Sequence, residues 1–309
     1  MRKSVLVLGS FVADCAFRAA RLPAWGETLM GSSFVLGPGG KGSNQAVAAA
    51  RAGAATRMLS KLGGDAFGQL AREVWKSAGV DDSLTKDCET PTGAAAILLD
   101  EAKGENAIIV VPGACFTLSP EEVDAAAETI RGADVFLTQL ELSLPTVQRG
   151  LEIARGAGIP TILNPAPAPT QPLPDELFAL SDYFIPNETE AALLTGLRVE
   201  SMEQAKAAAD ALKAKGARNV IVTLGAKGAL VCPGDGDPYM VEAFMAGPVV
   251  ETTGAGDAFC GGFATGLAEG MALPDAVRFG CATAGISVTR PGTAPSMPSR
   301  AEIDALLSR

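Results

Sequence analysis

Short apolar, β-rich runs alternate with alanine-rich helical stretches along most of the sequence: Val5–Gly9, Ser43–Ala52, Arg57–Ser60, Phe67–Ala78, Val135–Thr138, Thr146–Ala157, Thr161–Leu163, Glu203–Lys215 and Val220–Leu224. Parallel strands need a crossover between them, and a helix is the usual one. The rhythm therefore predicts an α/β fold, three α/β/α layers with a mostly parallel central sheet covered on both faces. No internal repeat interrupts it. With 309 residues, 48% of them hydrophobic and 19% charged, the chain can bury a large core and suits one α/β domain with an appendage.

Two segments break the rhythm. Phe11–Leu36 and Pro91–Val111 carry no helical pattern, and the second reads as a hairpin: TGAAAILLD, a polar EAKGE turn, then NAIIVV. Together they predict a small separate β-sheet that acts as a lid over a cleft. The expected division is a main domain of residues 1–10, 37–90 and 113–309 and a lid of residues 11–36 and 91–112. Plain edge hairpins are the alternative, for which both segments are long. A lid would keep water away from a reactive group bound in the cleft.

Composition removes several classes of function. The 25 basic and 35 acidic residues give a net charge of −10 without any lysine or arginine run, so neither nucleic acid nor an anionic membrane is an expected partner. An anionic substrate must be held by local groups. There is no histidine, which rules out histidine triads, dyads, metal clusters and general bases and leaves proton transfer to a carboxylate or a lysine. The six cysteines (Cys15, Cys88, Cys115, Cys232, Cys260, Cys281) lie far apart with no CxxC pair, as expected of buried thiols. The opening MRKSVLVLGS runs straight into a strand without the apolar length of a signal peptide, which predicts a cytoplasmic protein. Gly156–Pro174 is free of charge but studded with prolines and cannot cross a bilayer as a helix.

The chemistry concentrates in Glu251–Phe263, ETTGAGDAFCGGF. Gly254, Ala255 and Gly256 have little or no side chain, so their N–H groups can converge on an anion at the start of a helix whose dipole adds positive potential. Asp257 follows directly, where a carboxylate could take the proton from an attacking alcohol. Taken alone, the same residues also fit a glycine turn with an aspartate helix cap. A second glycine motif, GPGGKG at Gly37–Gly42, matches G-x-G-x-x-G, but no acidic residue ends the next strand, and the motif is not at the first βα turn. Nor is it a phosphate-binding P-loop, because Lys41 is followed by Gly42 and not by Ser or Thr. Its glycines instead let backbone approach a small polyol while Lys41 and Asn44 offer donors at a helix start.

The segments GGKGSNQAVAAARAGA, GDAFG (Gly64–Gly68), NPAPAP (Asn164–Pro169), PNETEA (Pro186–Ala191), TLGAKGA (Thr223–Ala229) and ETTGAGDAF (Glu251–Phe259) together resemble the ribokinase-like (PfkB) carbohydrate kinases, in order, from residue 5 to about residue 305. The resemblance implies that family's fold and an ATP-dependent kinase acting on the primary hydroxyl of a pentose, with ribose as leading acceptor. It implies that Asp257 is the catalytic base and that Gly254, Ala255 and Gly256 form the anion hole. Asp14, Gly39, Gly40, Lys41, Asn44 and Glu141 would grip the sugar. Asn187, Thr223, Gly225 and Gly256 would line the nucleotide, with Cys281 packed near the adenine as a small buried hydrophobe. Asn187 and Glu190 would organise Mg2+ through water, whereas the residues alone read Glu188 and Glu190 as a solvated helix face. Glu251, Thr253, Ser287, Arg290, Gly292 and Ser296 would surround a monovalent cation, K+.

Two departures bear on these expectations. Glu251 stands where the family has an aspartate, one methylene shorter, which should alter the cation's affinity or selectivity. Val12 replaces an asparagine that faces the sugar in ribokinases, which opens the way to an acceptor lacking one hydroxyl, such as deoxyribose, or to another furanose or a nucleoside. A non-catalytic sugar-binding regulator on the same scaffold is the remaining alternative. The resemblance also implies a homodimer formed by two lids.

Overall fold

In this computed structural model, which describes residues 2–309, the strands are β1 (Ser4–Leu8), β2 (Val12–Ala19), β3 (Ser33–Gly39), β4 (Ala55–Leu59), β5 (Lys61–Gly63), β6 (Lys86–Cys88), β7 (Thr92–Asp100), β8 (Glu105–Gly113), β9 (Val135–Thr138), β10 (Thr161–Leu163), β11 (Tyr183–Phe184), β12 (Asn219–Thr223), β13 (Ala229–Cys232) and β14 (Tyr239–Val241). Eight of them form the main sheet in the order β14-β13-β12-β11-β10-β9-β1-β4. All pairings from β4 across to β12 are parallel, and only β13 is reversed, antiparallel to both β12 and β14. The sheet is thus mostly parallel.

The apolar strands divide their side chains between two cores. In β1, Val5 and Val7 enter one buried cluster while Leu6 and Leu8 enter the other, and in β9 Val135 and Leu137 separate from Phe136 in the same way. A period of two on a strand buried on both faces requires helices above and below. The helices Lys41–Arg51 and Ala255–Ala268 cover the first face, and Leu144–Gly156 and Met202–Ala214 cover the second. Local chemistry sets the helix ends. Asp65 accepts from Gly68 N ahead of the helix Ala66–Ala78, and Gly79 closes that helix at φ 78°. Trp75 in this helix is fully buried, donates Nε1–H to Ser43 Oγ at 2.9 Å, and meets Phe11 edge-on with ring centroids 5.9 Å apart. That contact anchors the start of the Lys41–Arg51 helix to the loop after β1.

A second sheet, ordered β3-β2-β7-β8, projects from the first, and β5 pairs with β6 in a short third one. β2 leaves the core with Val12 and Ala13 buried and reaches Phe17 and Arg18 exposed. The expected hairpin is present as β7 and β8. One difference from the sequence reading concerns the glycines of Gly37–Gly42. β3 continues through Gly39, because its backbone pairs with β2 as far as Val12, so Gly37 and Gly39 lie in the small sheet's strand and not in a connecting loop. The small sheet exposes Phe17, Phe34, Val35, Ile109 and Val111, each between 45% and 68% accessible. No helix among the described residues is long and apolar enough to cross a membrane.

Candidate active site

The parallel strands deliver their functional residues at their C-terminal ends, the edge of an open α/β sheet where ligands bind. Ser10 follows β1, Gln139 and Glu141 follow β9, Asn164 follows β10, Asn187 follows β11, and Thr223 ends β12. Across from them starts the helix Ala255–Ala268. Lys41, Asn164, Asn187, Glu190, Thr223, Gly254, Gly256 and Asp257 line one cavity of about 140 Å³ with Ala166, Ile185 and Cys260. A larger cavity, about 370 Å³, lies at the opposite strand ends. Its two arginines, Arg155 and Arg218, both turn to the carboxylate of Asp182, at 2.6 and 3.7 Å, leaving no convergent group for chemistry.

Asp257 occupies the first turn of its helix and is 7% exposed. Its carboxylate does not cap that helix. Oδ2 accepts from Asn44 Nδ2 at 3.0 Å and Oδ1 from Gln45 Nε2 at 2.9 Å. Burial raises its pKa, and the nearby Lys41 ammonium and these two amides pull the other way. The turn before it depends on Gly254, whose φ of 79° lies in the left-handed region. A Cβ on Gly256 would meet nothing within 4 Å, so that glycine leaves room beside the Asp257 carboxylate. Ala255 N–H already bends back to Thr252 O at 3.1 Å. Among the described residues, the amides of Gly254, Gly256 and Asp257 donate to no acceptor in the turn, so of the expected Gly254, Ala255 and Gly256 only Ala255 is already engaged.

Asp14, Glu141 and Lys41 form the neighbouring group. Gly39 is packed against Asp14 so closely that a Cβ there would lie 2.4 Å from Oδ2, which explains a glycine at this register. Gly40 then precedes the helix as its N-cap. Glu141 is held by Lys41 N–H, donated to Oε2 at 2.8 Å, and by the Ser10 hydroxyl. Burial first, then the charges of Glu141 and Asp257, push Asp14 up to about 6. Burial alone would lower the Lys41 ammonium, but Asp257, Glu141 and Glu190 overcome it and hold it above its ordinary value.

Asn187 and Glu190 form a reciprocal helix cap. Glu190 N–H donates to Asn187 Oδ1 at 2.8 Å, and Asn187 N–H donates to Glu190 Oε2 at 2.9 Å. Glu190 is buried, 7% exposed, with its pKa raised by that burial. This corrects the solvated-face reading of the residues alone, which holds only for the half-buried Glu188. Asn187 bridges to Thr223 across the strand ends.

Other expected positions are more dispersed. Cys281 lies in the apolar core and does not line the cavity; the cysteine that does is Cys260, which sequence reasoning did not single out. Gly225 opens the turn after β12, outside the cavity lining. In the expected cation loop, Gly292 N–H donates to Glu251 Oε2 at 2.8 Å, and the buried Ser287 and Ser296 bond carbonyls of their own turns, Ala284 O and Thr293 O. Arg290 pairs with Glu302 instead of facing the loop, and Thr253 is exposed. Thr293 ties this loop to β3 by donating to Pro38 O at 2.9 Å. Ser10, Gln45, Gln139 and Asn164 were missed as site residues. The available signal was their place at strand ends or within GGKGSNQA and NPAPAP.

Comparison with known proteins agrees with this layout. Residues 2–300 match the pfkB family carbohydrate kinase model. The chain is 40% identical over 303 residues to a ribokinase of Haemophilus influenzae, covering 98% of this chain and 97% of that protein. It is 37% identical over 304 residues to a deoxyribokinase of Salmonella typhi, covering 98% of each. Its fold superimposes on the structure of Arabidopsis thaliana ribokinase complexed with ribose and ATP with a TM-score of 0.95, 34% identity and 100% of both chains covered. This chain belongs to the pfkB family of carbohydrate kinases.

Proposed function

We propose that the protein is an ATP-dependent sugar kinase that converts D-ribose to D-ribose 5-phosphate, with Asp257 as the base. The observation that carries this is a buried carboxylate beside unpaired helix-start amides in a cavity that also holds Lys41, Asn187 and Thr223. Support for ribose comes from ribokinases 36–40% identical along nearly the whole chain.

The sugar sits between the small sheet and the Lys41–Arg51 helix start. Asp14 accepts from adjacent hydroxyls, and the buried Asn44 Oδ1, without a protein partner, accepts another. The primary hydroxyl attacks the γ-phosphorus of ATP in line, the bond from that phosphorus to the β,γ-bridging oxygen breaks to release ADP, and the hydroxyl proton passes to Asp257, whose burial-raised pKa makes it a stronger acceptor. Charge on the migrating phosphoryl group is met by Gly254, Gly256 and Asp257 N–H and by the helix dipole.

Glu141, Glu190 and Asp257 act on the single ammonium of Lys41, and Asp14 adds its charge beside Glu141 and Asp257, an excess of negative charge that fits a nucleotide arriving with cations. Among the described residues no group of three or more acidic, cysteine or histidine side chains could hold a metal directly. Mg2+ would therefore be held by phosphate oxygens and, through water, by Asn187 and Glu190; when bound it neutralises phosphate charge. The Glu251 loop is the site for K+. Asp257→Asn should keep the fold and ATP binding while lowering kcat by about two to four powers of ten. Near-normal turnover would remove Asp257 as base.

A second reading, deoxyribose as acceptor, is favoured by the deoxyribokinase relative and by Val12. This residue is 5% exposed and two positions from Asp14 on β2, hence on the same face. ADP release across a sugar panel, with K+ or Na+, separates the two. The exposed apolar residues of the small sheet support a homodimer in which two such lids meet. All six cysteines are free, which fits the reducing cytoplasm.

A further inference from the structure

We infer that Gln45 is a positioning residue for phosphoryl transfer, holding the ionised Asp257 toward the cavity through a chain of amides that begins at Gln139. Gln45 is fully buried in the Lys41–Arg51 helix and does not line the cavity. Its amide nitrogen donates to Asp257 Oδ1 at 2.9 Å and to Asn164 Oδ1 at 3.0 Å, and its Oε1 accepts from Gln139 Nε2 at 2.7 Å. Asn164 Nδ2 in turn donates to Ile185 O at 2.8 Å.

Only one orientation of this chain is consistent. An ionised carboxylate accepts and never donates, so Gln45 must present nitrogen to Asp257 and oxygen to Gln139. A backbone carbonyl also only accepts, so Ile185 O fixes Asn164 with its oxygen toward Gln45. The amides are oriented from both ends by groups with a single role, and every hydrogen-bonding atom of the Gln45 side chain is engaged. Burying an amide is costly unless it is fully bonded, so an apolar side chain would serve a mere core position as well. Asn44 holds the other oxygen of Asp257, but the proposed function also assigns its Oδ1 to the sugar. Gln45 is the contact to the base that does not itself line the cavity, and its remaining partners are two further amides, Asn164 at the cavity wall and Gln139.

This inference rests on Asp257 being the base, and the experiment separates the two claims. In Gln45→Met, kcat should fall about 10- to 100-fold, as for a small displacement of a reacting group, with KM for ATP unchanged. The acid limb of the kcat–pH profile should move to higher pH, because the ionised base has lost a donor. Added to Asp257→Asn, Gln45→Met should cause no further loss of kcat. Wild-type kcat, an unshifted acid limb, or a further drop in the Asp257→Asn background would each overturn the inference. If Gln45→Met does not fold, Gln139→Leu carries the test: a smaller shift in the same direction supports the chain, and an unshifted limb rejects it. Near-normal turnover of Asp257→Asn would instead refute the base itself, and the inference with it.

Discussion

Asp14 offers a quantitative test of the sugar end of the cleft, because its cost to the fold and its use to the substrate come from the same charge. Burial, Glu141 and Asp257 raise it from an ordinary 3.8 to about 6. A shift of about two units corresponds to about 3 kcal/mol, and water in the open cleft reduces this to about 1–3 kcal/mol. The sign follows from proton counting. With the folded pKa above the unfolded one, the native state binds more protons between pH 3.8 and about 6, so stability from this group falls as pH rises through that window and stays low above it. Asp14→Asn removes the charge. Melting at pH 8 should therefore rise by about 2–6 °C, and the gain should fade as pH drops toward 4. The same change removes a charged acceptor for two hydroxyls, so kcat/KM for the sugar should drop by about two to four powers of ten. Thermal scans from pH 4 to 8, paired with initial rates, measure both. A variant less stable than wild type at pH 8, or a gain that does not depend on pH, would refute the electrostatic reasoning.

Two further outcomes are expected. Gly39→Ala places a Cβ 2.4 Å from the Asp14 carboxylate, so sugar affinity measured by calorimetry should weaken by about 1–3 kcal/mol while nucleotide affinity holds; unchanged sugar binding would mean that Asp14 is free to move. Ile109→Glu, a charge placed on a side chain 68% exposed on the small sheet, should convert a dimer to a monomer in light scattering, and an unchanged mass would reject the lid as the interface.

The main sheet was legible because parallel strands covered on both faces are apolar throughout. Val135–Thr138 and Thr161–Leu163 needed no tertiary information. Helix starts were less so, since caps carry no periodicity. The helix expected from Thr146 begins at Leu144, behind the Ser143 cap. The site was visible where chemistry and turn geometry coincide in sequence, as at Gly254–Asp257, and invisible where a partner is remote. Gln45 bonds a carboxylate 212 positions away, so within its own helix it is one polar residue in an alanine-rich run. Glu190 looked solvated for the same reason, because what buries it is the cleft and not its helix. Cys260 and Cys281 were equivalent as small hydrophobes until helix phase turned the first toward the cavity.

The distribution of charge explains why this cleft uses amides so heavily. Three carboxylates act on Lys41, and every further cation in the protein's own side chains would strengthen phosphate binding at the expense of the proposed base, Asp257, by lowering its pKa. Neutral donors avoid that conflict. Asn44 and Gln45 orient Asp257 with partial charges that reach only one hydrogen bond, and the helix-start amides act on phosphate in the same way. Under the proposed function, the full positive charge that polyphosphate needs would arrive with the nucleotide and leave with the product. The cleft carries an acidic excess, which adds to burial in raising the pKa of Asp14.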